Sequence, residues 1–372
     1  MKFIVSSEAL YKKLQLIGGV VSTNTVLPIL EDFLLELDRN MLTAYATDLE
    51  TSMSASLEVD GTGSGRIAVP ARLLLEFLKA LPEQPITVKV NTENYSVEIT
   101  SERGKYRLAG ENGDDFPRIP TAEDTKEIKM ASTVLANAID KTLFAVSTDD
   151  MRPAMMGVNV ELSPEGTVFV STDAHRLVRY LRSDVRSQKP ASFIIPRKAL
   201  QLLGHALPGE EVQVRLSYNN NNAFFVFNDV QLICRLIDAR YPDYNAVIPK
   251  DNPNKLSIRS GELLQSLRRL TILSSKSSYQ TTFSLSGASL QITSRDLDFS
   301  NEGTETLSCS YSGEPMEISF NGKFLIEILN ALNEEEVVMS MSTPSRACVV
   351  MPAVQKEHEN LLMLVMPIMI GG

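Results

Sequence analysis

Cysteine, histidine, positive charge and long apolar runs are all scarce in this 372-residue chain, and each scarcity closes off a class of function. The three cysteines, Cys234, Cys309 and Cys348, lie in separate strand-like runs without metal or redox spacing, so they read as buried, reduced thiols. The three histidines, His175, His205 and His358, are equally scattered and show no metal-ligand spacing. No stretch approaches the roughly 20 apolar residues of a membrane span. The opening Met1-Lys-Phe-Ile-Val is a strand pattern too short for a signal sequence, and the expectation is a soluble, cytoplasmic protein. Lys and Arg number 36 against 46 Asp and Glu, a net charge of −10 that in bulk speaks against nucleic acid. Phosphate-loop chemistry is also missing. Gly61-Thr-Gly-Ser-Gly65 precedes a strand rather than joining a strand to a helix, so it reads as a hairpin turn. The adjacent acids Asp114-Asp115, Asp149-Asp150 and Glu334-Glu-Glu336 read as solvated loop residues, so the chain reads as a non-enzyme with no cofactor and no metal.

What is present is repetition. Val69-Pro-Ala-Arg-Leu-Leu-Leu-Glu-Phe-Leu-Lys-Ala-Leu81 returns as Ile195-Pro-Arg-Lys-Ala-Leu-Gln-Leu-Leu-Gly-His-Ala-Leu207 and as Phe320-Asn-Gly-Lys-Phe-Leu-Ile-Glu-Ile-Leu-Asn-Ala-Leu332. Each copy ends a strand-like run and then shows apolar residues at helical spacing. Phe116-Pro117, Tyr241-Pro242 and Met366-Pro367 recur 125 residues apart both times. An earlier helix also repeats, with Ser7, Ser132 and Ser260 where an N-cap belongs. A period this long is a repeated domain and not a solenoid. Polar, Pro-bearing linkers at Pro120–Glu127 and Pro249–Asn254 then give domains of 1–121, 127–250 and 254–372. Short alternating runs such as Met41–Ala46, Arg66–Val69 and Ser289–Thr293 fill the space between helices. The fold class is α+β: three repeated domains, each an antiparallel sheet with two helices.

Charge is unevenly placed. The six helical segments, read as Ser7–Gly18, Pro70–Leu81, Ser132–Val146, Pro196–Leu207, Ser260–Ser275 and Gly322–Leu332, carry a combined +5, which leaves −15 on the rest. Their cations are Lys12, Lys13, Arg72, Lys79, Lys141, Arg197, Lys198, Arg268, Arg269 and Lys323. Arg72, Lys198 and Lys323 hold the same register position in the three copies. A basic helical surface on an acidic body suits a polyanion held along one face.

An ordered set of short segments makes the kinship specific. Met1-Lys-Phe, Leu27-Pro-Ile-Leu30, Thr47-Asp-Leu-Glu50, Val69-Pro-Ala-Arg72, Asp115-Phe-Pro117, Thr172-Asp-Ala-His-Arg-Leu177, Pro196-Arg-Lys198, Tyr241-Pro-Asp-Tyr244, Asn330-Ala-Leu332 and Val365-Met-Pro367 follow one another along the whole chain. Together they resemble the bacterial DNA polymerase III beta subunit family, the β sliding clamps. The resemblance implies the DNA clamp fold and a head-to-tail homodimer. It implies a ring of helices around duplex DNA, held without regard to sequence, and a processivity role in DNA replication with the polymerase III holoenzyme. Six helices about 10 Å apart would make a ring only about 19 Å across between axes. Twelve give about 38 Å and a bore of roughly 26 to 28 Å, so two chains are needed to admit a duplex about 20 Å wide.

The resemblance also assigns residues. The helical cations, with Arg152, would face DNA. The strand Lys105-Tyr106-Arg107-Leu108 would close the dimer against Ile272 and Leu273, with Asp296, Asp298, Glu302 and Glu305 facing the cations. A hydrophobic cleft for the short linear motifs of the polymerase, the clamp loader and repair proteins would comprise Met155, Thr172, His175, Arg176, Leu177, Pro242, Val247, Ala347, Leu364, Val365, Met366, Pro367 and Ile368. Departures accompany the match. Asn24 stands at a basic loop position, Asp149–Ala154 lacks polar and aromatic contacts that some members carry, and Ala246 and Met369 replace positions basic in some relatives. The tail runs on through Ile370-Gly-Gly372. Two other readings stand beside the ring: a monomeric scaffold that binds motif peptides without encircling DNA, and a hydrolase using Asp173 and His175.

Overall fold

The computed structural model describes residues 1–22 and 26–369, so Asn24 and the tail Ile370-Gly-Gly372 lie outside the described residues. Two compact units emerge, Met1–Ala136 with Lys198–Leu236, and Asn137–Arg197 with Ile237–Gly372. The second sequence repeat contributes to both, because its strands pair with those of the repeats on either side.

In the first unit a five-stranded antiparallel sheet runs in the order Asp60–Thr62, Lys2–Ser6, Pro85–Asn91, Ser96–Thr100, Lys105–Ala109. A nine-stranded sheet runs Glu111–Asn112, Gly65–Pro70, Asp32–Asp38, Met41–Thr47, Thr51–Glu58, Val230–Arg235, Asn222–Phe227, Gln213–Tyr218, Lys126–Ala131. The join is Thr51–Glu58 against Val230–Arg235, with Thr51 opposite Cys234. In the second unit a nine-stranded sheet runs Ala191–Pro196, Gly157–Leu162, Thr167–Thr172, Arg176–Arg182, Glu359–Val365, Cys348–Pro352, Glu336–Met341, Asn254–Arg259, Ser310–Ser312. Arg176–Arg182 against Glu359–Val365 is the join, with Arg176 opposite Val365. A four-stranded sheet, Asn301–Ser308, Ser289–Asp296, Gln280–Ser286, Met316–Asn321, completes this unit.

Alternation fixes the faces. Leu290, Ile292, Ser294 and Asp296 are buried and their neighbours are not, the period-two pattern of a half-covered strand. Asp32–Asp38 is buried almost throughout, since Phe33 packs beside Gly18 of the first helix while Leu34 joins Ala68 and Phe116 on the other face.

Six helices are present among the described residues: α1 Ser7–Gly18, α2 Ala71–Ala80, α3 Ser132–Thr142, α4 Arg197–Ala206, α5 Ser260–Ile272 and α6 Gly322–Leu332. Apolar stripes such as Leu325, Ile328, Leu329 and Leu332 bury one side of each against a sheet, and α1 packs on α2 as α5 packs on α6. Asn321 caps α6 through its side-chain oxygen, which accepts from the amides of Lys323 and Phe324 at 3.0 and 3.4 Å. The repeated serines are not caps. Ser6 caps α1, and Ser7, Ser132 and Ser260 are the first helical residues. Each donates its amide to the chain leading into the strand after the paired helix, Gln84 O at 2.9 Å, Val212 O at 2.7 Å and Glu335 O at 2.9 Å. The hydroxyls of Ser7 and Ser132 also accept from Gln84 N and Val212 N, at 3.1 and 3.0 Å. In these two copies the serine side chain adds to the backbone tie that holds two parts of one repeat together.

Gly61 and Thr62 belong to a short strand pairing with Lys2 and Phe3, and the turn begins at Gly63, whose φ of 77° suits glycine. Cys234 and Cys348 are buried, with burial pushing the Cys234 thiol up to about 12, whereas Cys309 is half-exposed, contrary to the sequence expectation. Among the described residues no helix is long and apolar enough to cross a membrane, and no group of three or more His, Cys, Asp or Glu is placed to hold a metal ion.

Candidate functional site

Helical phase decides which predicted cations reach the surface. On α1, Lys12 is exposed beside Glu8, and half-buried Lys13 pairs with Asp229. Arg72 and Lys79 are exposed on α2, with Arg72 Nε 3.0 Å from Glu76 one turn on. Lys198 at the start of α4 bonds the Asp48 carboxylate. In the second unit Arg268 donates to Asn330, and Arg269 grips Glu305 with two bonds of 2.7 Å. Lys323 sits over the Tyr279 ring, 3.6 Å from its centroid. Lys141 corrects the sequence reading: it is 8% exposed, with its ammonium 6.0 Å from the Tyr180 ring and burial lowering its pKa. The signal was available, since Lys141 falls three residues past Ala138 and seven past Val134, on the apolar stripe of α3.

The predicted cleft resolves into two faces of one sheet. Leu177, Ala347 and Leu364 form a buried cluster with Val170 and Tyr244, flanked by Val168, Tyr241 and Ile248. Thr172, two residues past Val170, shares that face. Val247 and Met366 stay exposed, at 54% and 39%, and Pro242 and Pro367 are half-buried. Tyr244 donates its hydroxyl to Glu161 at 2.8 Å, and burial pushes its phenol up to about 12. Val168, Val170, Tyr241, Tyr244 and Ile248 were missed from sequence, although stepping back by two from Thr172 would have found two of them.

Arg176 and Val365 require correction, because alternation turns both to the opposite face. Val365 is fully buried there. Arg176 donates from Nε to Asp173 at 3.0 Å and from Nη2 to the Phe144 carbonyl at 2.8 Å, pairs with Glu327, and lies 5.1 and 4.6 Å from the rings of Phe144 and Phe324. His175 keeps the same company: it stacks on Phe324 with centroids 6.1 Å apart, while its carbonyl accepts from Met366 N at 2.8 Å. These two, with Arg152 and Arg197, line a cavity of about 570 Å³ that also holds Asp149 and Glu327. Met155 sits in a turn where its carbonyl accepts from Ser147 N, and Ile368 bridges to Ser319, so neither joins the apolar cluster. Ala246 and Met369 are exposed.

Among the strands that end a sheet, two carry the residues assigned to dimer closure. Lys105–Ala109 ends the five-stranded sheet and Asn301–Ser308 the four-stranded one. On the first, Tyr106 lies over Phe77 at 4.7 Å, Leu108 is 9% exposed, Lys105 pairs with Glu98 and Arg107 is open to solvent. Beside the second, Ile272 is 69% exposed and Leu273 lies so close to Gly303 that a Cβ there would meet it at 2.6 Å. Of the predicted acids, Asp296 is buried and Glu305 is held by Arg269, whereas Glu302 and Asp298 are exposed.

Comparison with known proteins settles the family. The family models for the N-terminal, central and C-terminal domains of the DNA polymerase III beta subunit match residues 1–120, 129–243 and 245–368. The beta sliding clamp of Vibrio cholerae is 30% identical over 374 residues, covering 99% of this chain and 100% of that protein. The chain belongs to the beta sliding clamp family. Its clamp fold superposes on a Pseudomonas aeruginosa clamp bound to griselimycin with a TM-score of 0.94 at 26% identity, covering both chains fully. A Bacillus subtilis clamp gives 0.94 at 25% identity, again over the whole of both. This clamp therefore has three domains and the function of a DNA sliding clamp, a processivity factor of replication, and nothing favours the isolated monomeric scaffold.

Proposed function

We propose that two copies of this clamp close head to tail through their open strand edges. The observation that carries this is arithmetic: the two sheets spanning sequence repeats have nine strands each, built from five and four, and the remaining sheets have five and four with free edges. Joining Lys105–Ala109 of one copy to Asn301–Ser308 of another makes a third sheet of nine.

The internal repeat sets the register. Glu111, Ile237 and Ile368 meet equivalent positions, Ala68, Ile194 and Ser319, so Leu108, Cys234 and Val365, each three residues earlier, are equivalent. Thr47 pairs with Ser52, Thr172 with Leu177 and Arg295 with Glu302, so Thr51 and Arg176 correspond to Asn301. Since Cys234 faces Thr51 and Val365 faces Arg176, Leu108 faces Asn301 in the second copy. Arg107 then opposes Glu302, and Tyr106 opposes Gly303, whose missing side chain lets Leu273 and Leu270 cover the strand on the face the Tyr106 ring would meet.

Within the closed dimer the exposed helical cations face duplex DNA and hold it through phosphates, so the ring slides. The Leu177, Leu364 and Tyr244 face takes apolar side chains of short motifs carried by the polymerase and other partners. This work is done in the cytoplasm, and binding rather than catalysis carries it. Sedimentation at micromolar concentration tests closure: a mass near twice 41.1 kDa supports it, and a monomer across that range removes it.

A further inference from the structure

The hairpin tip of the third repeat differs from its two counterparts. In the first repeat Thr47 and Ser52 close a tip of four residues, and in the second Thr172 and Leu177 do the same. In the third, Arg295 and Glu302 close six. The longer tip presents Leu297 and Phe299 at 88% and 76% exposure, among the most exposed large apolar side chains of the described residues.

The shorter tips show what such a tip meets. Asp48 of the first bonds Lys198 at the start of α4, and Glu50 lies 3.5 Å from Arg235. His175 of the second stacks on Phe324 at the start of α6. All three contacts cross a junction between repeats, and those of Asp48 and His175 land on the opening turn of the next repeat's second helix. The residues corresponding to Lys198 and Lys323 in the first repeat are Arg72, and to Phe324, Leu73. Leu73 is 49% exposed.

We propose that Leu297 and Phe299 clasp Leu73 at the start of α2 in the second copy, with the exposed Asp298 carboxylate against Arg72. The proposal rests on head-to-tail closure and names its apolar anchor. The occupant follows from continuity: the tip leads directly into Asn301–Ser308, the edge that pairs with the second copy's Lys105–Ala109, and Ser275 at the end of α5 donates to Arg295 at its base. Charge agrees, an acid on the tip meeting a cation on the helix. Covering Leu297, Phe299 and Leu73 takes exposed apolar surface out of water.

Sedimentation across a dilution series of the full chain tests the clasp, using the natural protein, Leu73→Ser, the double variant Leu297→Ser with Phe299→Ser, and all three changes together. All are surface changes, and unchanged circular dichroism verifies the fold. The clasp requires the dimer dissociation constant to rise at least tenfold for either side alone, and the triple variant to be no weaker than the worse of the two. A natural dimer that the tip variant leaves intact overturns the clasp while closure stands, as does a triple variant whose effect is the product of the separate ones. A natural protein that is monomeric throughout removes closure and the clasp with it.

Discussion

Arg176 and Leu177 are neighbours on one strand and serve opposite faces of it: Leu177 sits in the apolar cluster with Leu364 and Tyr244, and Arg176 reaches Asp173, Glu327 and the Phe144 carbonyl on the other side. The strand thus places an apolar cluster and an ionic strut back to back. The strut joins the hairpin tip to α6 within the second unit.

Crossed substitutions separate the two roles. Arg176→Met leaves Asp173 without its guanidinium partner, and loss of a buried, hydrogen-bonded pair of this kind costs about 3 kcal/mol. Urea unfolding should show that loss, with motif-peptide affinity changed less than threefold. Val247→Asp, on a half-exposed site, should leave the unfolding midpoint within about 0.5 kcal/mol and weaken a motif peptide at least tenfold by isothermal titration. Reversal of these outcomes would put Arg176 in the cleft.

The contrast shows what was legible in the sequence. The repeat, the helices and the two-sided strands were readable because apolar periodicity and the 125-residue spacing are local to the chain. Face assignment within a motif was not read, although Thr172-Asp-Ala-His-Arg-Leu177 contains it: a turn resets alternation, so Arg176 and Leu177 had to be phased from the strand after the turn. Lys141 was misplaced because charge was weighed before helical phase. The Phe324 and Glu327 contacts to Arg176 were out of reach, since they depend on which repeats pack together. The serines were found for the wrong reason, their recurrence marking a tie to Gln84, Val212 and Glu335 that no spacing rule describes.

Asp32 makes stability depend on pH. It is 5% exposed, Oδ2 has no hydrogen-bond partner among the described residues, and burial, with Glu111 and Glu31 nearby, raises its pKa to about 7. The folded value lies above the unfolded one, so stability is fully present below about pH 4 and is lost as pH rises towards 7. The shift corresponds to at most about 4 kcal/mol. Asp32→Asn should therefore stabilise by about 2 to 4 kcal/mol at pH 8 and by little at pH 4, as read from urea midpoints. An equal effect at both pH values would mean the carboxylate is not held neutral.

Neutralising the register cations tests DNA contact. Arg72, Lys198 and Lys323 changed together to Gln should shorten retention on nicked circular DNA and lower the log–log salt slope by roughly 3 per copy if each meets one phosphate. Lys198→Gln alone should also cost a few tenths of a kcal/mol through the lost Asp48 pair. An unchanged slope would place these side chains away from the duplex.

Charge exchange across the proposed edge tests register. Arg107 opposite Glu302 is a cross-strand pair worth about 0.2 to 1 kcal/mol, and like charges there are unfavourable by a similar amount. A head-to-tail dimer contains the pair twice, so Arg107→Glu or Glu302→Lys alone should raise the dissociation constant about tenfold. The chain carrying both exchanges recreates opposite charges at each edge and should recover most of the affinity. Glu302 also bonds Arg295 at 2.8 Å within its own chain, so Glu302→Lys puts two cations together even before association. Recovery in the double exchange must therefore come from the second copy and exceed what relief of that local repulsion supplies. A slipped register would move Arg107 away from Glu302, leaving the double exchange as weak as the product of the two single ones.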